Sequence, residues 1–460
     1  MQRLKSRMYL QGENKMELRP YQKQDLEWYL THASTGNFSE QRTGKTPSVC
    51  VALGERKPKR ALVVCPATLL YVWKHEIEKW SGLSAHVVES TDFDFKASPS
   101  DVVYVLNYEK LRGTKKNQTI INNLVKWKPD AVIIDEAHRI KNRDSLTFLN
   151  LRKLRRAEWK VALTGTPSTN HPWDVWGILN WLFPDTYTSY WGFINTYFEK
   201  TVLWIAGQPK EQPSTFKPGM DRVLQANLDI CCIQHKRKEV MQWLQEDNPP
   251  TIVKLPCTPY QKKVLFDLMN YFEHKHVVTK TILDNLIRVR QVCATPEILD
   301  LKGGSPKIDW LLQYIKDYPE KSVLVFSNSK KFLKIIADRL PIPHDTICGD
   351  VSPKRRLDIV RDFQKGEIKL LLLQTQACKE GLTLDEADVS IFLDTYPPAS
   401  DYAQAKDRMV ATVPERSKEK EIIHVMMDGT YDEQLYKLVE KNTDEIAIIN
   451  DYKNYIKGGN

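Results

Sequence analysis

Ala131-Val132-Ile133-Ile134-Asp135-Glu136-Ala137-His138 is an apolar run that ends in two adjacent carboxylates. Four apolar residues without polar alternation suit a strand covered on both faces, as in a parallel sheet. The carboxyl edge of such a sheet is where ligands collect. A solvated acidic turn would account for the Asp-Glu pair, but not for the strand before it. Upstream, Ser39-Glu40-Gln41-Arg42-Thr43-Gly44-Lys45-Thr46 ends like a phosphate-binding loop, although a full pattern would have glycine at Ser39. Backbone amides at such a turn cradle phosphate at a helix start. Lys45 would reach the β- and γ-phosphates, and the Thr46 hydroxyl would hold magnesium. Asp135 would hold the same ion, and Glu136 would orient and deprotonate the attacking water. Together the two segments point to an ATP- and magnesium-dependent enzyme.

The same strand pattern recurs on both sides of this stretch. Apolar runs stand at 61–65, 102–106, 131–135 and 161–164, and again at 323–327, 370–374, 389–394 and 422–426. Segments long enough for crossover helices separate them, for example 69–80 and 330–340. The fold class expected is α/β, with two parallel-sheet lobes. Between them, residues 173–200 are rich in Trp, Phe and Tyr at helical spacing. Gly207–Gly219, with Pro209, Pro213 and Pro218, reads as a loop or linker. Residues 222–298 read as mostly helical, broken at Asn248-Pro249-Pro250. The expected organisation is an ATP-binding lobe over 1–170, a helical insertion and linker over 171–302, and a second lobe over 303–460.

Composition narrows the function classes. The 460 residues carry a net charge of +9, with 42% hydrophobic and 27% charged residues, close to ordinary globular usage. No apolar run is long enough to span a bilayer. The charged start Met1-Gln2-Arg3-Leu4-Lys5-Ser6-Arg7 leads into no apolar segment of a secretory signal. The eight cysteines form no C-x-x-C, so neither a zinc site nor a redox pair is indicated. A reducing, intracellular setting is expected, in the cytoplasm of a cell or of an infected host, or at its nucleoid.

Asp135-Glu136-Ala137-His138-Arg139-Ile140-Lys141-Asn142 closely resembles the signature of the Swi/Snf-type ATPases, double-stranded DNA translocases of helicase superfamily two. Further segments resemble that family in order. Leu18-Arg19-Pro20-Tyr21-Gln22 is similar to its adenine-recognition motif. Val63–Leu70 with Trp73 is similar to its first nucleic-acid-contact motif. Leu163-Thr164-Gly165-Thr166-Pro167, followed by Trp176, Leu179-Asn180 and Pro184, is a combination particular to the family. Ile287–Cys293 with Pro296 matches a helix just before the second lobe. Gln374–Leu384 resembles motif five, and Gln404-Ala405-Lys406-Asp407-Arg408 begins motif six. The resemblance covers residues 16–440.

The resemblance implies two RecA-like lobes with a helical insertion between them. It implies that Arg19 and Gln22 read adenine and that Thr43 and Gly44 complete the phosphate loop. His138, Thr164 and Thr166 would couple nucleotide state to the DNA track. Thr375 and Gly381 would lie near DNA and the cleft between lobes, and Gln404 and Arg408 would face the nucleotide across that cleft. Duplex DNA is the implied partner, bound through phosphates and therefore without sequence preference. The chain's brevity resembles the bacterial and phage branch, with roles in replication, repair or recombination.

Two positions depart from the family's pattern. Arg42 stands where a further glycine is usual, at a position that favours φ > 0. Ala411 stands where motif six carries its arginine finger, three residues after Arg408. Arg408 is the expected substitute because it keeps register with Gln404; Arg416 is the alternative. Basic clusters at 115–116, 152–156, 235–238 and 354–356 are either solvated faces or phosphate contacts. Of these, His235–Lys238 is the favoured DNA contact. Trp173, Trp176, Trp181 and Trp191 read as packing between helices rather than base stacking, and Cys231-Cys232 as core. Three rival readings stay open: a strand-separating or annealing helicase, an RNA helicase, and a nucleotide-gated DNA-binding protein with little turnover.

Overall fold

The computed structural model describes residues 17–97, 102–114, 117–168, 171–205, 208–244, 249–378, 382–394, 399–411, 414–441, 443 and 445–458. The charged start 1–7, the pair Lys115-Lys116 and Gly381 lie outside the described residues. The chain divides into two compact units, Met1–Gln242 and Trp243–Asn460.

The first unit is built on seven parallel strands. They are β1 (Ser34–Asn37), β2 (Ala61–Cys65), β3 (Ser84–Val87), β4 (Val102–Asn107), β5 (Ala131–Asp135), β6 (Trp159–Leu163) and β9 (Cys232–Ile233), in the spatial order β3-β4-β2-β5-β6-β1-β9. The apolar runs at 61–65, 102–106 and 131–135 form strands as their unbroken hydrophobicity dictates. Apolar clusters cover both faces of the sheet. Val63, Val105, Ile133 and Val161 belong to one, and Leu62, Leu106, Ile134 and Ala162 to the other.

The second unit has its own parallel sheet. Its strands are β10 (Thr251–Leu255), β13 (Val323–Ser327), β14 (Asp345–Ile347), β15 (Leu370–Gln374), β16 (Val389–Phe392) and β17 (Glu421–Met427), in the order β10-β17-β16-β13-β15-β14. It too is covered on both faces. A third apolar cluster joins the helices Pro259–Tyr271, Ile282–Ala294, Tyr431–Glu440 and Glu445–Gly458. The fold is α/β with two RecA-like parallel-sheet lobes, and helices precede, flank and follow the sheets.

One reading of the middle of the chain is corrected. Gly207–Gly219 is not simply a linker. Gln208–Phe216 is a strand (β8) that pairs antiparallel with β7 (Phe198–Ile205), with Trp204 opposite Pro209 and Lys200 opposite Pro213. A two-stranded ribbon is all edge, so a proline that cannot donate is tolerated there. The region 222–298 is mostly helical as expected, with short strands in its breaks. It supplies β9, the edge strand β10 and a short hairpin of β11 (Glu273–His274) and β12 (Val277–Val278). Trp176 and Trp181 are buried in the core as expected, whereas Trp191 is partly exposed and lies beside Arg143. Cys232 is buried on β9, but Cys231 is only half-buried. No helix among the described residues is long and apolar enough to cross a membrane.

Candidate nucleotide site

The carboxyl ends of β1, β5 and β6 bring the sequence-predicted residues of the first unit together. β1 leads into residues 38–44, and the helix α2 (Lys45–Arg56) starts directly after Gly44. Gly44 has φ +75°, in the left-handed region that glycine alone enters cheaply. A Cβ there would also lie 2.6 Å from Gln22 Nε2. That contact is part of the site. Gln22 donates from Nε2 to the Gly44 carbonyl at 2.8 Å, and Tyr21 donates its hydroxyl to the Thr43 carbonyl at 2.6 Å. The Arg19 amide donates to Gln22 Oε1 at 2.9 Å. The start of the helix α1 (Pro20–Thr31) is therefore fastened onto the phosphate loop.

Arg42 takes φ +69° although it carries a side chain. The loop thus keeps the backbone conformation that a glycine would have given, at a cost of about 1–2 kcal/mol. Thr43 is buried and donates to the Glu40 carbonyl at 2.8 Å. Lys45 Nζ donates to the Ser39 carbonyl at 2.8 Å and the Glu40 carbonyl at 3.0 Å. Burial pushes the Lys45 ammonium down, while the Glu136, Asp135 and Glu40 carboxylates oppose the shift. Thr46 follows in the first turn of α2.

Asp135 ends β5. Its Oδ2 accepts from Trp73 Nε1 at 2.8 Å, and its Oδ1 accepts from the Glu136 amide at 2.9 Å. Tyr108 donates to its carbonyl at 2.7 Å. Burial, and then the Glu136 carboxylate beside it, push Asp135 up to about 7. Such a carboxylate gains from a cation placed against it. Glu136 has φ +51°, a conformation rare for a residue with a side chain. Its Oε2 lies 3.2 Å from His138 Nδ1. His138 Nδ1 is also 3.2 Å from Thr164 Oγ1, and Thr164 Oγ1 accepts from the Thr166 amide at 3.2 Å. His138, Thr164 and Thr166 therefore form one chain leading from Glu136 to the end of β6. Gly165 lies between the two threonines, where a Cβ would meet Gln41 Cγ at 2.7 Å. Only glycine lets this turn lie against the phosphate loop.

Thr375, Gln404 and Arg408 belong to the second unit. Thr375 is buried just after β15. Arg408 is 7% exposed and donates to the Gln404 carbonyl at 2.9 Å and the Leu382 carbonyl at 3.3 Å. Arg416 donates to Asp385 Oδ1 at 2.8 Å and lies 3.0 Å from Glu386 Oε1. Arg356 is buried, donating to the carbonyls of Cys348, Val351 and Ala377, so it is neither a solvated residue nor an exposed phosphate contact.

Sequence reading assigned no role here to Trp73, Tyr108, Asp25 or His235. His235 was grouped with a DNA contact. The structure sets its ring on the buried Asp25, Nε2 to Oδ1 at 2.7 Å, edge-on to Tyr21. The His235 amide donates to Ser39 Oγ at 3.0 Å, and the Arg237 amide donates to Glu40 Oε2 at 2.7 Å. This stretch is part of the wall of the phosphate loop. Nothing in residues 234–238 by themselves announces it, because Asp25 lies 210 positions earlier.

Residues 12–298 match the family described as the SNF2-related domain, and residues 306–410 match the helicase conserved C-terminal domain. The ISWI chromatin-remodeling complex ATPase ISW1 of Saccharomyces cerevisiae is 24% identical, over 94% of this chain and 40% of that protein. The DNA annealing helicase and endonuclease ZRANB3 of Bos taurus is 25% identical, over 87% of this chain and 38% of that protein. The chain thus spans about two fifths of the length of these curated relatives. Among solved structures, the Sulfolobus solfataricus SWI2/SNF2 ATPase core in complex with double-stranded DNA is 22% identical. That alignment covers 93% of this chain and 91% of that one, with a TM-score of 0.44.

Proposed function

The chain belongs to the SNF2-related family of helicase-type ATPases, and from that premise we propose that it is an ATP-dependent translocase on double-stranded DNA. The observation that carries the reading is the convergence of Lys45, Asp135 and Glu136 at adjoining strand ends, linked through His138 to Thr164 and Thr166. Lys45 binds the β- and γ-phosphates. Asp135 and the Thr46 hydroxyl hold magnesium. Among the described residues no three His, Cys, Asp or Glu gather into a metal cage. One carboxylate and one hydroxyl suit an ion that takes its other ligands from phosphate and water. That ion, when bound, neutralises charge on the phosphates.

Glu136 takes the proton of the attacking water. Arg19 and Gln22 read the adenine, and their attachment to the phosphate loop transmits base recognition to the loop. His138, Thr164 and Thr166 pass the state of Glu136 to the end of β6. The family resemblance further assigns Thr375 to the DNA track and Gln404 and Arg408 to nucleotide recognition. The stretches 1–170 and 303–460 supply the bulk of the two lobes, and the stretch between them adds β9 to the first sheet and β10 to the second. The partner is duplex DNA, held through its phosphates irrespective of sequence, and the setting is intracellular.

Translocation is tested by third-strand displacement from a DNA triplex, with a labelled fork run beside it. ATP-dependent release of the third strand, with the fork left paired, is the expected result. Fork unwinding without triplex release would favour the strand-separating helicase instead.

A further inference from the structure

Cys231 ends the helix Met220–Cys231, and Cys232 opens β9. The two sulfurs adjoin, Sγ to Sγ at 3.6 Å. Their surroundings differ. Cys232 is buried, whereas Cys231 is half-buried and lines a cavity of about 430 Å³ with Tyr187, Phe193, Tyr197, Asn227 and Ile230. The cavity reaches the surface at Ile230, which is 72% exposed. As a thiol, Cys231 donates to the Asn227 carbonyl at 3.2 Å. The Cys232 thiol beside it draws Cys231 down toward the thiolate. Cys232 itself is pushed up, first by that contact and then by burial. A reachable thiolate with a second thiol next to it reacts with peroxides and then resolves to a disulfide.

β9 is also joined to the nucleotide site. Cys232 and Ile233 pair with Gly36 and Asn37 of β1. Gly36 leaves room for the thiol, because a Cβ there would lie 2.8 Å from Cys232 Sγ. Past β9, the Phe38 amide donates to the Ile233 carbonyl at 2.8 Å and the Glu40 amide to the His235 carbonyl at 2.9 Å. The His235 amide donates back to Ser39 Oγ at 3.0 Å. Ser39 and Glu40 are the residues whose carbonyls hold Lys45 Nζ. A change at 231–232 therefore reaches the phosphate loop along the backbone.

We propose that Cys231 and Cys232 are a reversible oxidation site, which a small hydroperoxide entering the cavity joins as a disulfide, loosening the phosphate loop through β9. The Cys231 sulfur attacks one peroxide oxygen. The O–O bond breaks with its electron pair on the other oxygen, which takes up a proton and leaves as water or an alcohol. Cys231 is then a sulfenic acid. The Cys232 sulfur gives up its proton and attacks the Cys231 sulfur, and the hydroxyl leaves as water. The two thiols lose two electrons and two protons, and the peroxide gains them. Disulfides usually join Cα atoms about 4.4–6.8 Å apart, whereas chain neighbours stand about 3.8 Å apart. A bond between neighbours is therefore strained, which makes it readily reduced. The strain falls on the helix-to-strand junction, where Cys232 is extended at φ −133° and ψ 145°. Closing the bond draws Cys232 Sγ off Gly36 and bends β9 away from β1.

The test treats the reduced full chain with a small excess of hydrogen peroxide, beside Cys231→Ser and Cys232→Ser. The readouts are the mass of the peptide carrying residues 231–232, hydrogen exchange at the Phe38 and Glu40 amides, and affinity for a fluorescent ATP analogue. In the wild type the peptide is expected to lose two hydrogen atoms. Exchange at the two amides should quicken about tenfold, and the analogue should bind about tenfold more weakly. Dithiothreitol should reverse all three changes. Peroxide should leave exchange and affinity unchanged in both variants, because neither can close the bond. If a variant does not fold, the wild type before oxidation, after oxidation and after reduction carries the comparison. A Cys231 that stays reduced, or that proceeds to sulfinic acid without a disulfide, would overturn the proposal. So would a disulfide that leaves exchange and affinity as they were, or a peroxide effect of the same size in Cys232→Ser. A chain that shows the reversible change but never turns over ATP would defeat the proposed function and leave this inference standing.

Discussion

Glu136→Gln is expected to lower ATP turnover by about 10²–10⁴-fold while ATP binding persists. The substitution keeps the side chain's size and removes its capacity to take a proton. Glu136 is held at φ +51° directly after Asp135, with its Oε2 3.2 Å from His138 Nδ1. A glutamine can occupy the same volume there. It also removes the negative charge that helps push Asp135 up. Asp135 then ionises more readily in the variant, and magnesium and nucleotide are retained. Steady-state hydrolysis measured beside binding of a fluorescent ATP analogue separates the two effects. Turnover close to the wild type would mean that another group activates the water.

The second large effect concerns stability. Lys307, on the helix Pro306–Asp317, has a fully buried side chain whose Nζ donates to Asp432 Oδ2 and to the Leu393 carbonyl, both at 2.6 Å. Asp432 Oδ2 also accepts from the Met427 amide at 3.1 Å. The pair ties two helices to the ends of β16 and β17. Removing one partner leaves a charge in the interior with too few ligands, which costs about 3–5 kcal/mol. Asp432→Ala is therefore expected to lower the denaturation midpoint of the second unit sharply. Adding Lys307→Met to Asp432→Ala removes the stranded charge and is expected to recover part of the loss. Chemical denaturation of the wild type, both single variants and the double variant checks this. A double variant no more stable than Asp432→Ala alone would contradict the account.

How much was legible depended on whether a signal was local. The runs at 61–65, 131–135, 323–327 and 370–374 are strands because strands buried on both faces need unbroken apolar sequence. β1 has no such run. Ser34-Thr35-Gly36-Asn37 is a strand because β6 and β9 take its backbone groups on either side, which is a tertiary fact. β8 was read as a loop because its prolines forbid a central strand, but not an edge. In the site, Lys45, Asp135 and Glu136 could be read because charged groups follow apolar strands or precede a helix at fixed spacing. Trp73 reaches Asp135 across 62 positions and His235 reaches Asp25 across 210, so no periodicity could pair them. The anomaly at Arg42 was visible in the sequence. Its outcome, a left-handed residue that keeps the loop's shape, became visible only in the backbone.

The most direct test of the central claim is steady-state ATP hydrolysis by this chain with and without duplex DNA, run beside single strands and RNA. The account predicts strong stimulation by duplex DNA of any sequence, weakening as salt rises because phosphate contacts release counterions. ATP bound tightly but not turned over with duplex DNA, single strands or RNA would contradict it, and would leave a nucleotide-gated binding protein in place of a motor.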